Sequence, residues 1–173
     1  MNMEKLVVQA LIEIPQGCQN KYEIDKKSGR IKLDRTLYSA MLYPGEYGYI
    51  ENTLAKDGDP IDILVFASFP TVPGCLMDVR IIGVLEMEDS GEEDVKLIGV
   101  SQNDPRYNHI SCLEELPPHY LIEVRSFFDT YKLLNKKEVI TGRYLGVEDA
   151  YYYLNDARER YYEQMKINEN DLL

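Results

Sequence analysis

The chain of 173 residues has few of the residues that build compact metal or redox motifs, with three cysteines and two histidines, and it has no tryptophan. Cys18, Cys75 and Cys112 are odd in number, lie far apart and form no Cys-x-x-Cys pair, which excludes a zinc knuckle and a dithiol redox motif. Three unpaired thiols are typical of a reducing compartment, so we expect a cytoplasmic protein. His109 and His119 are too few for a histidine-rich metal centre.

Long apolar segments are also missing. The segment Met1–Lys5 has no net positive charge, and polar residues interrupt the apolar stretch from 6 to 14, so we expect no signal peptide. Asp62 and Pro70 break the most apolar part of the chain well short of the ~20 residues that cross a bilayer. The sequence therefore predicts no membrane partner.

Basic residues are in the minority, with 19 Lys and Arg against 30 Asp and Glu, a formal net charge of −11. The mean field of such a chain repels nucleic-acid phosphates and anionic membranes. An anionic ligand would need a local basic patch or bound cations. The length and the 45% hydrophobic content suit one core, so we expect a single domain over residues 1–173.

Short apolar runs separated by turns fill the chain up to about residue 100 and indicate a small antiparallel barrel. Two segments with helical spacing follow, one starting at Pro117 and Pro118 and one after Gly146. We attribute the tyrosines of the second helix to core and subunit packing. The predicted strands are Val7–Ile14, Lys21–Ile24, Arg30–Asp34, Tyr47–Ile50, Ile61–Phe66, Leu76–Met87 and Val95–Val100.

The densest chemistry lies at Asp57-Gly58-Asp59-Pro60-Ile61-Asp62, where three carboxylates fall within six residues. Gly58 and Pro60 favour a turn that lets the carboxylates converge. Converging carboxylates repel one another unless a pKa rises or cations lie between them, and oxygen ligands with retained waters suit Mg²⁺. A solvated acidic turn is the plain alternative, whereas Asp62 stands where a calcium-binding EF-hand loop requires glycine.

A second acidic turn strengthens the metal hypothesis. Asp89 and Asp94 flank it, and Lys96 falls on the same face as Asp94 if a strand has begun there. Lys and Arg with tyrosine hydroxyls are the usual protein partners of phosphate oxygens. Candidates on predicted strands and at the end of the first helix are Lys21, Arg35, Tyr131 and Lys132, each of which alone is better explained as a surface charge or a core tyrosine.

Taken together, these segments closely resemble the family I soluble inorganic pyrophosphatases. The resemblance covers nearly the whole chain in order, and the string Asp57 to Asp62 matches the signature of the family. The other matching segments are Glu13-Ile14-Pro15, Lys21-Tyr22-Glu23-Ile24-Asp25, Asp34-Arg35, Tyr43-Pro44, Tyr47-Gly48-Tyr49-Ile50, Asp94-Val95-Lys96 and Phe127-Phe128-Asp129-Thr130-Tyr131-Lys132.

The resemblance implies a fold and an activity. The fold is mainly β with flanking helices, a five-stranded OB-type antiparallel barrel plus two principal α-helices. The activity is Mg²⁺-dependent hydrolysis of pyrophosphate to two phosphates by in-line attack of a metal-activated water, without a covalent intermediate. The subunits of this compact prokaryotic type commonly assemble as homohexamers, although the segment Lys137–Tyr144 lacks the tryptophans that are frequent there in the family.

The resemblance also implies residue roles. Asp59 would be the general base, and Glu13 and Glu23 would act through water or steady the basic residues. The metal ligands would be Asp57, Asp62, Asp89 and Asp94. The groups that hold phosphate would be Lys21, Arg35, Tyr47, Lys96, Tyr131 and Lys132, with Asp62 and Tyr47 also placed at the reacting centre.

The charge of this set bears on the substrate. Seven acids face four bases, a formal balance of −3, and two divalent cations would reverse its sign. One rival function is an OB barrel that binds nucleic acid or oligosaccharide, although the acidity of the chain disfavours nucleic acid. Another is a scaffold without catalysis. A phosphatase with an aspartate nucleophile is disfavoured because the apolar strand follows the acids instead of preceding them.

Overall fold

The computed structural model describes residues 6–170, so the expectation that rests on Met1–Lys5 lies outside the described residues. Two α-helices are present, α1 at Pro118–Thr130 and α2 at Val147–Asn170. Both begin where the sequence predicts. The strands are β1 Val7–Ile14, β2 Asn20–Ile24, β3 Ile31–Thr36, β4 Glu46–Tyr49, β5 Asp62–Phe66, β6 Cys75–Asp89, β7 Glu92–Glu93, β8 Lys96–Ser101 and β9 Val139–Leu145.

Five strands close into a barrel in the order β1-β4-β5-β8-β6, and β6 pairs back with β1 to complete the ring. This confirms the predicted five-stranded OB-type barrel with two principal helices. The prediction that the barrel is antiparallel needs one correction, because β5 and β8 run parallel. Strand β6 is antiparallel to β8, so the chain reverses twice between β5 and β8. The sequence could not predict this, because hydrophobic patterning indicates which residues are buried and not the direction in which strands pair.

The parallel pair is buried on both faces, as its nearly continuous apolar sequence requires. In β5, Leu64 and Phe66 pack in one core cluster with Phe127 and Phe128 of α1. The alternate residues of the strand lie in a second cluster, which Leu154 of α2 also joins. The central strands are therefore fixed from both sides, and their ends are well-defined platforms for polar groups.

Two strands were not predicted. Strand β7 has only two residues, and β9 pairs with the far half of β6, which continues beyond the barrel. Most of β9 is half-buried or exposed, so it carries no apolar run of the kind that marked the other strands. Of the tyrosines of α2, Tyr151, Tyr152 and Tyr162 are exposed and so do not pack in the core, while their packing against another subunit stays a prediction. The buried face of the helix is formed by Ala150, Leu154 and Ala157.

Several strand ends meet at one end of the barrel. The first residues of β5 and β8, Asp62 and Lys96, are register partners, and Asp62 also lies opposite Tyr49 at the end of β4. The separate β2–β3 hairpin lies against β1, where the Ile24 amide donates to Glu13 Oε1 at 2.9 Å.

Within residues 6–170, neither helix is both long and apolar enough to cross a bilayer.

Gly48 of β4 tests how closely the barrel wall is packed. A Cβ at this position would lie 1.9 Å from the carbonyl oxygen of Leu11 in β1. Gly48→Ala is therefore expected to lower the free energy of unfolding by about 3 kcal/mol, measured by urea denaturation, because backbone atoms must move apart. Gly146→Ala is the control, since its Cβ meets nothing within 4 Å. Equal stability of the two variants would contradict the described packing.

Candidate active site

A cavity of about 420 Å³ opens at the end of the barrel where these strand ends meet. All thirteen residues that the sequence singled out line it, although they come from β1, β2, β3, β4, β5, β6, β8, the turn that follows α1 and other connecting segments. The thirteen are Glu13, Lys21, Glu23, Arg35, Tyr47, Asp57, Asp59, Asp62, Asp89, Asp94, Lys96, Tyr131 and Lys132. Their individual roles stay predictions.

A larger and more open cavity of about 890 Å³ lies on the other side of Tyr43. Arg106, His109 and Glu123 are the ionisable groups other than tyrosines in its wall, within the part of the chain that the structure describes. It therefore has no converging carboxylates. Size alone would have selected this cavity, but the chemistry selects the smaller one.

Lys96 is the centre of the smaller cavity. Its Nζ donates to Asp62 Oδ2 at 2.6 Å and to Asp94 Oδ1 at 2.5 Å, and only 2% of the side chain is exposed. Burial favours the neutral amine, yet the two carboxylates outweigh burial and raise the pKa of Lys96. The ammonium also lies 5.7 Å from the ring centroid of Tyr47. The two aspartates thus converge on a single buried positive charge.

Buried phenols form part of the cavity wall. Tyr47 donates its hydroxyl proton to Asp62 Oδ2 at 2.9 Å, and Tyr131 packs edge-on against Phe128 at a centroid distance of 5.6 Å. Burial is the main cause that raises the pKa of both Tyr47 and Tyr131. Both phenols therefore keep their protons at neutral pH and can donate hydrogen bonds to an anion.

The basic residues on the periphery are each paired with an acid. Lys132 donates to Asp89 Oδ2 at the end of β6. Lys21 Nζ and Arg35 Nη1 both contact Asp34 Oδ2, at 3.0 and 2.8 Å. These pairs fix the directions of long side chains before a ligand arrives, and each can exchange its carboxylate for a phosphate oxygen.

Two aspartates in the wall carry a raised pKa, Asp57 and Asp94. Burial, followed by the carboxylates of Asp94 and Asp62, raises the pKa of Asp57. Burial, with Asp62 and Asp89, also raises the pKa of Asp94, although Lys96 opposes this. The repulsion predicted from the sequence is thus present, although burial is the main cause of both shifts.

Glu13 lies beside this cluster on β1. Burial raises its pKa to about 7, although the Ile24 amide stabilises the charged form. The nearby carboxylate of Asp62 adds to the rise.

The turn that carries Asp57 and Asp59 is held from the side of α2. The Leu54 amide donates to the carbonyl of Ala157 at 2.9 Å, and Arg160 Nη1 donates to the Leu54 carbonyl at 2.7 Å. Neither contact was foreseen from the sequence, because α2 follows this turn by about a hundred residues. The C-terminal helix therefore helps to position the acidic turn.

The donor chemistry suits Mg²⁺, which prefers carboxylate oxygens. Asp62 and Asp94 already share one cation, and the raised pKa values of Asp57 and Asp94 mark a place where more positive charge would be stabilising. Among residues 6–170, however, no three acidic, histidine or cysteine side chains converge on one point. Lys96 lies between Asp62 and Asp94, and Lys132 is paired with Asp89.

Two lysines in the cavity wall were missed by the sequence analysis, Lys26 in the β2–β3 turn and Lys137 just before β9. Both lie in surface turns, where a lysine carries no signal of function. They correct the charge of the site, because seven acids face six bases and the formal balance is −1 instead of −3. The cavity is thus close to neutral without bound cations.

The chain matches the family model described as inorganic pyrophosphatase over residues 10–162. It belongs to the inorganic pyrophosphatase family. An inorganic pyrophosphatase of Geobacillus stearothermophilus is 54% identical over 95% of this chain and 99% of its own length, and one of Methanosarcina mazei is 45% identical over 95% and 98%. The crystal structure of the Thermus thermophilus inorganic pyrophosphatase is 42% identical, with a TM-score of 0.87 over 90% of this chain and 91% of that one.

Membership of the inorganic pyrophosphatase family makes this chain an enzyme, an inorganic diphosphatase. The cavity agrees with such an enzyme in that both acids and bases line it. The signature that the sequence displays, Asp57 to Asp62, forms the acidic turn at that opening.

Lys96→Met tests whether Lys96 neutralises this pyrophosphatase site. Loss of the ammonium would leave Asp62 and Asp94 facing each other without compensation, so we expect a loss of about 3–5 kcal/mol in the free energy of unfolding in EDTA. Lys56→Met is the control, because Lys56 pairs with Glu93 on the surface and should cost less than about 1 kcal/mol. A Lys96→Met protein as stable as the control would refute the central role of Lys96.

Proposed function

We propose that this enzyme hydrolyses inorganic pyrophosphate to two phosphates in an Mg²⁺-dependent reaction, by in-line attack of a water and without a covalent intermediate. One observation carries the proposal: the acidic and basic groups predicted from the sequence, drawn from ten separate stretches of chain, line one cavity. Positive groups that could bind both phosphates and acids that could bind cations are available together there.

Substrate binding is proposed for the bases and phenols. Lys21, Arg35 and Lys132 approach the cavity from different elements, so they can contact different oxygens of the two phosphate groups. Tyr131 adds a neutral donor, Tyr47 could exchange its hydrogen bond to Asp62 for one to a phosphate oxygen, and Lys96 keeps Asp62 and Asp94 close together. Because each base is paired before the substrate arrives, phosphate oxygens would replace carboxylates as its partners.

We propose Asp57, Asp62, Asp89 and Asp94 as the ligands of Mg²⁺. When bound there, the ions would neutralise phosphate oxygens and lower the pKa of the attacking water. Glu13 and Glu23 are proposed as supporting residues. Glu13 holds the β2–β3 hairpin in place through the Ile24 amide, and that hairpin carries Lys21 and Glu23.

Asp59 is proposed as the general base. Its carboxylate projects from the acidic turn at the cavity mouth and is 66% exposed, so a water can reach it. The water would lose a proton to Asp59 as its oxygen bonds to phosphorus and the bond to the bridging oxygen breaks. The electrons of that bond leave with the second phosphate, and no protein atom needs to attack phosphorus.

We also propose a homo-oligomer, a homohexamer by resemblance, within a cytoplasmic setting. Large apolar side chains are exposed on neighbouring segments of the chain, among them Ile122 of α1, Leu133, Leu134 and Ile140 of β9. All three cysteines in the described part of the chain are unpaired, as the sequence predicts.

Dependence on Mg²⁺ is the first test of the proposed function. Phosphate release from pyrophosphate is expected with Mg²⁺ and is expected to stop in EDTA, with ATP and tripolyphosphate as alternative substrates in the same assay. Asp62→Asn should lower turnover about 100-fold or more, because it removes charge at the centre of the site. Asp78→Asn, on an exposed part of β6, is the control. Rapid hydrolysis in EDTA would refute Mg²⁺ dependence.

Asp59→Asn tests the proposed base separately. A base acts mainly in the transition state, so kcat should fall by about 10²–10⁴ while KM stays within about threefold. Asp149→Asn at the start of α2 serves as the matched control. Steady-state phosphate release gives both constants, and an equal effect on KM and kcat would show that Asp59 binds substrate instead.

A further inference from the structure

Lys26 lies at the rim of the active-site cavity, and neither the sequence signature nor the proposed function gives it a role. Its Nζ donates to Asp59 Oδ1 at 2.9 Å, although the two residues are 33 positions apart. The partner of this surface lysine is therefore the carboxylate proposed as the general base.

The turn that carries Lys26 is ordered by its own hydrogen bonds. Asp25 Oδ2 accepts from the amide of Ser28 at 2.9 Å and from its hydroxyl at 2.6 Å. The Gly29 amide donates to the Asp25 carbonyl at 2.8 Å, and Gly29 has a φ of 67°, which this tight turn requires. Lys26 thus leaves the backbone at a fixed place above the cavity.

The turn that carries Asp59 is ordered in the same way. The Ala55 amide donates to the Asp59 carbonyl at 2.7 Å, and the Asp59 amide donates to Asp57 Oδ1 at 3.0 Å. The Lys26–Asp59 pair consequently connects two defined turns, one on the hairpin and one on the barrel. It spans the mouth of the cavity.

The two carboxylate oxygens of Asp59 have different surroundings. Oδ1 accepts from Lys26, whereas Oδ2 accepts no hydrogen bond from any residue between 6 and 170. A base needs one oxygen free for the incoming proton, and a fixed second oxygen sets the direction of the free one. The pair itself is exposed, with 79% of the Lys26 side chain accessible, so it adds little to folding stability.

We propose that Lys26 is a positioning residue that holds Asp59 over the cavity in the orientation that accepts the proton of the attacking water. The inference rests on the proposed function and deepens it, because it acts through the base. It concerns orientation, so its loss should slow turnover without weakening substrate binding.

Lys27 provides a matched control. It is the next residue of the same turn, it is exposed, and within the described residues it forms no ion pair and does not line the cavity. Lys27→Met removes the same charge from the same hairpin as Lys26→Met. A difference between the two variants therefore reports the contact with Asp59 and not the general charge of the surface.

The test compares steady-state pyrophosphate hydrolysis at saturating Mg²⁺ for wild type, Lys26→Met, Lys26→Arg and Lys27→Met. Lys26→Met is expected to lower kcat about tenfold with KM within about twofold, because a misplaced group costs rate and not affinity. Lys26→Arg should recover most of the rate, and Lys27→Met should match wild type. Thermal midpoints should agree within about 2 °C among the four proteins.

A double-mutant cycle gives the decisive readout. In an Asp59→Asn background, Lys26→Met should change kcat by less than about twofold, because there is no longer a base to orient. The same tenfold loss in that background, a rise in KM instead of a fall in kcat, or a lowered thermal midpoint would each overturn the positioning role.

The experiment also separates this inference from the proposed function. An inactive wild-type protein would contradict the proposed function itself. An active wild type with a fully active Lys26→Met variant would overturn only the inference about Lys26.

Discussion

The structure of the site depends on one buried ammonium, that of Lys96, held between Asp62 and Asp94. The parallel pairing of β5 and β8 makes this arrangement possible, because it places Asp62 and Lys96 in register at the same end of the barrel. Three like charges in one turn would otherwise spread apart in the folded chain. Lys96 lets Asp62 and Asp94 stay close, while burial, with a smaller contribution from neighbouring carboxylates, still raises the pKa of Asp57 and Asp94.

The numbers of acids and bases in the cavity wall decide how the site interacts with an anion. With seven acids and six bases, the cavity is close to neutral, so it neither repels an anion strongly nor attracts one strongly. Added divalent cations would tip the balance toward an anionic substrate. The rest of the negative charge of the chain, including the acids of α2, lies outside the cavity and is suited to solubility.

Much of this arrangement could be predicted from the sequence, for identifiable reasons. The barrel strands have strong apolar runs, and Gly58 and Pro60 favour a turn at the acidic residues. Three features could not be predicted, because each depends on contacts between distant segments. They are the parallel pairing of β5 with β8, the strand β9, and the hydrogen bond from Arg160 to Leu54. Lys26 and Lys137 were missed for the same reason, since only the fold brings them to the cavity.

We propose that the site takes up pyrophosphate only when positive charge beyond that of the protein's own bases is present. Calorimetric binding of methylenediphosphonate, a pyrophosphate analogue whose bridging carbon resists hydrolysis, tests it most directly. The account predicts saturable binding in Mg²⁺ and little or none in EDTA at the same ionic strength. Equal affinity under the two conditions would show that the lysines and the arginine suffice, and it would contradict the account.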